Sequence, residues 1–348
     1  MRKLLHLFGI CIMLLLLSSC SNSVKNDTNT LDKPVPDFVP LTDVVEGRKD
    51  IYLITKELDS NYWDIVEEGA KEAGEEIGCN IYHSGTYSEM QWKKQEELLD
   101  RCVELGADAI LISPDDSVKL ASKIEEIYEK GIPIILIDTA ANTDSFNVCY
   151  MTDNLEAGNK AAEEMLFQLK AKGISEDEDI KVAVLIGNSK SQTINERLAG
   201  FYQYWTDNAP EKWTILSEIK ESNGDVELGG QYVEEILNNN PDIKGLFATN
   251  NSPTISVSQK ILDRNDTDIT VVGFDYSDNI NSLIESDDYQ ASTIIQRQFY
   301  MSYNGVKAAV DIINGASVNV KFEDTGVITV NSDNYKDPDV RAIIEGRK

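Results

Sequence analysis

Histidine is almost missing. There are two in 348 residues, and only His83 lies beyond the first ten. With it go the usual His-centred chemistries: no Ser/His/Asp order, no His/Cys metal spacing and no phosphate-binding glycine loop is present. No catalytic residue, metal or cofactor is expected, and His83, inside an apolar strand-like run, reads as structural. Positive charge is also short, with 32 Lys and Arg against 60 Asp and Glu and a formal net charge of −28. A nucleic-acid partner or a bare anionic membrane surface is excluded, because both would repel the chain. The excess acid reads as solvated helix faces. Cysteine gives no disulfide framework. Beyond Cys11 and Cys20 it leaves Cys79, Cys102 and Cys149, an odd number read as buried free thiols, with a Cys79–Cys102 bridge left open. Long apolar runs are scarce too. The one from Leu4 to Leu17 is broken by His6 and Gly9 and falls short of the roughly 20 residues a bilayer core requires.

That run has a different use. Arg2 and Lys3 precede it and Leu17-Ser18-Ser19-Cys20 follows it, a combination that resembles the bacterial lipobox, in which the chain is cut before a cysteine that then carries lipid. Residues 1–19 are therefore expected to be a signal peptide and Cys20 to be lipidated. Residues 20–49 are polar or proline-rich and read as a flexible tether. The membrane is reached through the lipid alone, placing the body on the extracytoplasmic side.

From Asp50 onward the chain alternates. Short apolar runs appear at 51–55, 79–83, 109–113, 132–137, 181–187, 214–219, 245–249, 269–274 and 291–296. Continuous rather than alternating apolar character marks strands buried on both faces, as in parallel sheets. Between them lie helical stretches: 61–77, 91–105, 118–129 and 154–170, with Gly74, Gly78, Gly106, Gly131 and Gly173 as stop signals. Asp153 stands where a cap for the last of these belongs. The βαβα rhythm predicts a doubly wound α/β architecture, and its division near Met151 predicts two similar parallel-sheet lobes. The 41% apolar content is enough for a core in each.

In open α/β sheets, ligands bind beyond the carboxyl ends of the strands. The residues found there are Asp59, Ser60, Tyr62 and Trp63; Asp115 and Asp116; Asp138 and Thr139; Asn188, with Asn195 and Arg197 further on; Asn250 and Asn251; Asp275; and Gln296. Asp115 and Asp116, after Pro114, are read as helix caps. The others suit a polyol: carboxylates accept hydroxyl hydrogens, amides donate and accept, and aromatic faces cover the C–H face of a sugar ring.

These residues sit within a longer ordered set: Glu68-Gly69-Ala70 after Tyr62-Trp63, Gly106-Ala107-Asp108-Ala109-Ile110 with Ser113-Pro114, Gly131-Ile132-Pro133 with Ile137-Asp138, Thr152-Asp153-Asn154 with Ala157-Gly158, Glu196-Arg197 with Gly200-Phe201, Phe247-Ala248 with Asn250, Val272-Gly273-Phe274-Asp275, and Thr293-Ile294 with Gln296. In this order the chain resembles the ribose-binding-like (type 1) periplasmic binding proteins, which share their fold with the ligand domains of LacI-type repressors. The resemblance implies two lobes joined by a three-crossover hinge, with 50–152 plus 297–325 in the first and 153–296 plus 326–348 in the second. It implies a ligand site at Ser60, Tyr62, Trp63, Asp138, Asn195, Asn250, Asp275 and Gln296. Thr139 is counted with them, standing where ribose binders carry an arginine. Asn195 stands at a second arginine position and Gly224 at a phenylalanine. A site with two carboxylates and no arginine is expected to prefer a neutral or amine-bearing ligand over a sugar phosphate or acid.

The function implied is that of a monomeric, lipid-anchored binding protein that closes on a small neutral sugar and presents it to an ABC permease. The alternative is a sensory protein reporting a sugar or furanosyl signal to a membrane kinase or chemoreceptor. A repressor would begin with a DNA-binding helix pair where the lipobox stands. An enzyme would have to use Asp138 and Asp275 as an acid–base pair.

Overall fold

The computed structural model describes residues 33–345, so the expected signal peptide and Cys20 lie outside the described residues. The first sheet is built from β1 (Val39–Pro40), β2 (Asp50–Thr55), β3 (Asn80–Gly85), β4 (Ala109–Ile112), β5 (Ile134–Ile137) and β6 (Val148–Met151), interleaved with α1 (Asn61–Ile77), α2 (Trp92–Leu105) and α3 (Ala121–Glu129). After α4 (Asn154–Ala171) the second sheet takes β7 (Ile180–Ile186), β8 (Trp213–Ile215), β9 (Lys220–Glu221), β10 (Ile243–Ala248), β11 (Thr270–Phe274) and β12 (Gln290–Gln296), with α5 (Gln192–Asn208), α6 (Val226–Asn239), α7 (Asn251–Arg264) and α8 (Asp278–Glu285) between them. The chain then returns as α9 (Gln298–Ile313) and β13 (Phe322–Asp324), and crosses again into β14 (Val327–Asn331) and α10 (Pro338–Ile344).

The sheet orders are β1-β3-β2-β4-β5-β6-β13 and β14-β12-β11-β10-β7-β8, with β9 also against β7. All pairings are parallel except β1 with β3 and β12 with β14. Set aside the edges and both sheets run second, first, third, fourth, fifth strand, the doubly wound order whose ligand crevice opens at the carboxyl ends. The fold is therefore a pair of like lobes, and the chain passes between the sheets three times, near residues 152, 297 and 325.

Each sheet is covered on both faces, which explains the unbroken apolar runs. Helices α1 and α9 lie on one face of the first sheet, around Val66, Ala70, Met301 and Val306. Helices α2 and α3 lie on the other, around Leu98, Leu99, Ile124 and Ile127. Cys79 belongs to the first cluster and Cys102 to the second, so the sheet separates them, and Cys79, Cys102 and Cys149 are all free and buried. Among the described residues no helix is long and apolar enough to cross a membrane.

Several local expectations are corrected. Gly74 does not end α1; it is buried inside it, where a Cβ would come within 2.4 Å of Ile81 Cγ1, and the terminator is Gly78 at φ 82°. The run at 214–219 is interrupted, with strand only at 213–215 and 220–221. The edge strands β13 and β14 carry too few apolar residues in sequence to stand out, and β6, between β5 and β13, is apolar but only four residues long. The tether does not extend to residue 49. From Lys33 onward the chain lies along the first lobe: β1 pairs with β3, Val35 and Phe38 pack on the core, and Ser84 Oγ donates to the Pro36 carbonyl at 2.8 Å. Prolines suit such an edge, where one side of the strand needs no donor. His83 is buried in β3, its Nε2 2.8 Å from Thr55 Oγ1, and burial lowers its pKa to about 4.

Helices α4 and α5 meet through glycine. A Cβ at Gly158 would lie 2.1 Å from the Arg197 carbonyl oxygen, with no flexible atom to yield. Gly158→Ala is expected to destabilise the protein by about 1–3 kcal/mol in urea unfolding. Gly230→Ala, on α6 with Lys260 Cε 3.8 Å away as its nearest neighbour, should be neutral or stabilising by up to about 1 kcal/mol. Equal effects of the two changes would refute this packing.

Candidate ligand-binding site

The carboxyl ends of the two sheets face each other across one cavity. It is lined by Lys56, Glu57, Ser60, Tyr62, Trp63, Glu89 and Asp138 from the first lobe and by Thr193, Ile194, Arg197, Asn250, Asn251, Asp275 and Gln296 from the second. It encloses about 430 Å³ of atom-free space, part of it open to solvent. The lobes touch across it: Asn188 Nδ2 donates to Glu89 Oε2 at 3.0 Å.

Asp138 and Asp275 hold equivalent places, each directly after the fourth strand of its lobe, and both adopt left-handed backbone at φ 61° and 68°. Aspartate tolerates this conformation better than most residues, and it turns each carboxylate off the strand axis into the cleft. Asp138 Oδ1 accepts from the Tyr62 hydroxyl at 2.7 Å, and its Oδ2 from Ser113 Oγ at 3.1 Å and Thr139 Oγ1 at 2.7 Å. Asp275 Oδ1 accepts from Gln296 Nε2 at 2.9 Å. Burial raises the Asp275 carboxyl to about 6, against the opposing pull of Arg197 and the Gln296 hydrogen bond. Tyr62 and Trp63 meet edge to face at 5.0 Å, nearly buried at the start of α1.

The structure brings Ser60, Tyr62, Trp63, Asp138, Asn250, Asp275 and Gln296 to the cavity wall and leaves two expected residues out of it. Asn195 is exposed, and its amide donates to the Ser189 carbonyl at 2.9 Å. On α5 it is Thr193, Ile194 and Arg197 that face the cleft, and residue 195 falls on the far side of the turn. Thr139 lies behind the wall, fully buried, accepting from Lys56 Nζ at 3.0 Å while donating to Asp138. It positions two site residues rather than lining the cavity. Asp115 is no helix cap. It is buried, accepts from Thr86 Oγ1 at 3.0 Å, and burial raises its carboxyl well above the usual range. Asp116 caps no helix either: it accepts from the Val118 and Lys119 amides at 3.1 and 3.0 Å within the turn that leads into α3, whose N-cap is Leu120.

The expectation of a site without arginine also fails. Arg197 lines the cavity with its guanidinium 3.7 Å over the Phe274 ring, donating to Asn154 Oδ1, the Thr249 carbonyl and Gln296 Oε1 at 2.8, 2.9 and 2.9 Å. Lys56, Glu57 and Glu89 were missed. Lys56 and Glu57 directly follow β2, so reading the strand end two residues earlier would have found them. Glu89 sits on a 3-10 turn, Glu89–Gln91, which leaves no strand-end signal. Lys56 Nζ donates to Glu89 Oε1 at 3.2 Å and is 3.8 Å from Asp138 Oδ2. Burial alone would lower the Lys56 ammonium, but Glu89, Asp138 and Asp115 outweigh it and hold it above its usual value. Burial, then Glu89, raises Glu57 to about 8.

Two doubly wound lobes closing on one polar cavity define the type 1 periplasmic-binding-protein architecture. Residues 51–317 match the family described as "Periplasmic binding protein domain", and the chain belongs to that family, in its ribose-binding-like branch. It is 25% identical over 268 residues to the ribose import binding protein of Bacillus subtilis, covering 77% of this chain and 83% of that one. It is 24% identical over 288 residues to the D-apiose import binding protein of Actinobacillus succinogenes, covering 82% and 89%. A carbohydrate transporter solute-binding protein of Agrobacterium radiobacter, solved with D-arabinose, superposes at TM-score 0.81 and 28% identity, covering 86% of this chain and all of that one.

A carboxyl whose pKa is raised on folding keeps a proton that the unfolded chain releases above its ordinary value. Stability therefore falls as pH climbs through that window. For Glu57 the window runs from about 4.5 to about 8. Glu57→Gln is expected to flatten this part of the pH–stability profile of the ligand-free protein and to exceed wild type in stability above pH 8. Urea midpoints measured at half-unit pH steps check it, and parallel slopes would refute the burial of this carboxyl.

Proposed function

We propose that this chain is the lipid-anchored, extracytoplasmic substrate-binding protein of an ABC-type sugar transporter, closing on one small carbohydrate. The observation that carries the reading is the pair Asp138 and Asp275 at matching strand ends, facing one cavity beside Tyr62 and Trp63. Carboxylates accept ring hydroxyls, Asn250 and Gln296 donate and accept, and the aromatic pair covers the apolar face. Ligand contact with both lobes favours the closed form, the hinge transition of such receptors, and the closed shape is what the permease recognises. The relatives support this reading: two are named as import binding proteins, for ribose and for D-apiose, and the third as a carbohydrate transporter solute-binding protein, solved with D-arabinose.

Binding rather than catalysis fits the hydrogen bonds. Asp138 accepts from three hydroxyls and lies 3.8 Å from Lys56 Nζ, so both its oxygens are engaged as acceptors that hold the site's geometry. In this reading the first lobe comprises 50–152 plus 297–325, joined by the strap from Lys33, and the second comprises 153–296 plus the remainder. Cys20 carries the lipid, the protein acts as a monomer, and the chain between Cys20 and Lys33 spans at most roughly 45 Å.

Thermal unfolding against a panel of pentoses, hexoses and inositols tests the reading. A ligand at 100 times its Kd should stabilise the protein by about 2.7 kcal/mol. Asp275→Ala should weaken binding of that ligand at least about 100-fold while the variant still unfolds cooperatively, since a buried, charge-assisted set of bonds is lost. Unchanged affinity in that variant would sink the site assignment.

A further inference from the structure

The charged groups around the cavity are not evenly matched. Two cations line it, Lys56 and Arg197, against four carboxylates, Glu57, Glu89, Asp138 and Asp275. Both cations already have protein partners. Lys56 is held by Glu89, Thr139 and Asp138, and Arg197 by Asn154, Thr249 and Gln296. Three carboxylates are held as well: Glu89 by Lys56 and Asn188, Asp138 by Tyr62, Ser113 and Thr139, and Asp275 by Gln296. Among the described residues the Glu57 carboxyl has no hydrogen bond or ion pair.

Its position gives that vacancy a use. Glu57, Ser60 and Asn251 line both the inner cavity and an outer chamber that continues toward Tyr87, Gly224 and Tyr276. Glu57 therefore stands at the throat between the two. Opposite it is Gly224, where a Cβ would lie 3.2 Å from Glu57 Oε1, so the missing side chain leaves the carboxyl room to reach a ligand. Ser60 Oγ, also at the throat, is buried and has no hydrogen-bond partner among the described residues.

We propose that the ligand is an amino sugar or amino-cyclitol whose protonated amine is held by Glu57 at this throat; the proposal rests on the sugar-binding reading and refines it. The charged groups facing Glu57 are Lys56 beside it, Glu89 on the 3-10 turn, Asp138 after β5 and Asp275 after β11. Three of the four repel a second negative charge, and the cation among them is already engaged. An ammonium supplies the missing counter-charge, and Glu57, protonated without ligand, releases its proton as the amine docks. A neutral hydroxyl would meet a protonated carboxyl and gain only an ordinary hydrogen bond.

Isothermal titration of the full chain at pH 6.5 with D-glucosamine and D-galactosamine, their N-acetyl derivatives, and glucose and galactose tests this. The expected result is at least tenfold tighter binding of an amino sugar than of both its neutral parent and its N-acetyl form. Titrations in two buffers of different ionisation heat should show close to one proton released. Glu57→Gln should cut the amino-to-neutral affinity ratio at least tenfold. Neutral sugars binding as well as or better than amino sugars, with no proton released, overturns the proposal and leaves the sugar-binding reading standing. No heat from any sugar, amino or neutral, overturns both.

Discussion

The side-chain amide of Gln296 joins the hinge to the cavity. Its oxygen accepts from Thr152, at the first crossing between lobes, and from Arg197; its nitrogen donates to Asp275 in the site. Gln296 itself ends β12 at the second crossing, so two of the three connections meet one cavity-lining carboxylate through a single residue. Arg197 extends the joint to Asn154, at the start of α4, and to the carbonyl that follows β10. A buried amide whose oxygen accepts two hydrogen bonds and whose nitrogen donates to a carboxylate is held in that orientation, because flipping it would leave polar groups unsatisfied in the interior. These bonds tie the position of the carboxylate to that of the hinge.

The first lobe solves a different problem. It buries Lys56 in the cavity wall beside Glu89, Asp138 and Asp115. Buried charge is tolerable only when it is paired and hydrogen-bonded, and Thr139 completes the pairing by contacting both Lys56 and Asp138. Threonine at this position is not a lost arginine. The cation is delivered from the end of β2 instead, and the hydroxyl beside Asp138 orients it. The cost is an excess of carboxylates, which the lobe carries as a raised Glu57 and a raised Asp115.

The doubly wound parallel class of both lobes was legible because strands buried on two faces must be apolar throughout, and eight of the nine apolar runs in the sequence form such strands. Seven site residues were legible by the same logic, since whatever follows a buried strand sits at its carboxyl end. Asn195 failed because it lies inside a helix, where position in sequence says nothing about facing until the helix is rotated into place. One step along α5 turns a side chain by about 100°, which carries residue 195 out while Arg197 stays in. The strap from Lys33 failed for a related reason: its prolines and polar residues resemble a linker, yet an edge strand needs only one side of its backbone paired.

Composition and pattern by themselves determined the class: a chain poor in histidine and basic residues, with two runs of strand–helix units and hydrogen-bonding residues at their ends, is a two-lobed α/β receptor. Local chemistry is enough for that, because burial and turn geometry leave their mark on each residue type. Only the tertiary structure decided which charges meet. Lys56 pairs with Glu89 and Asp138, Asn188 reaches Glu89 from the other lobe, and among the described residues the Glu57 carboxyl has no hydrogen bond or ion pair. Charge pairing acts through space between residues far apart in the chain, and a linear pattern holds no record of those distances.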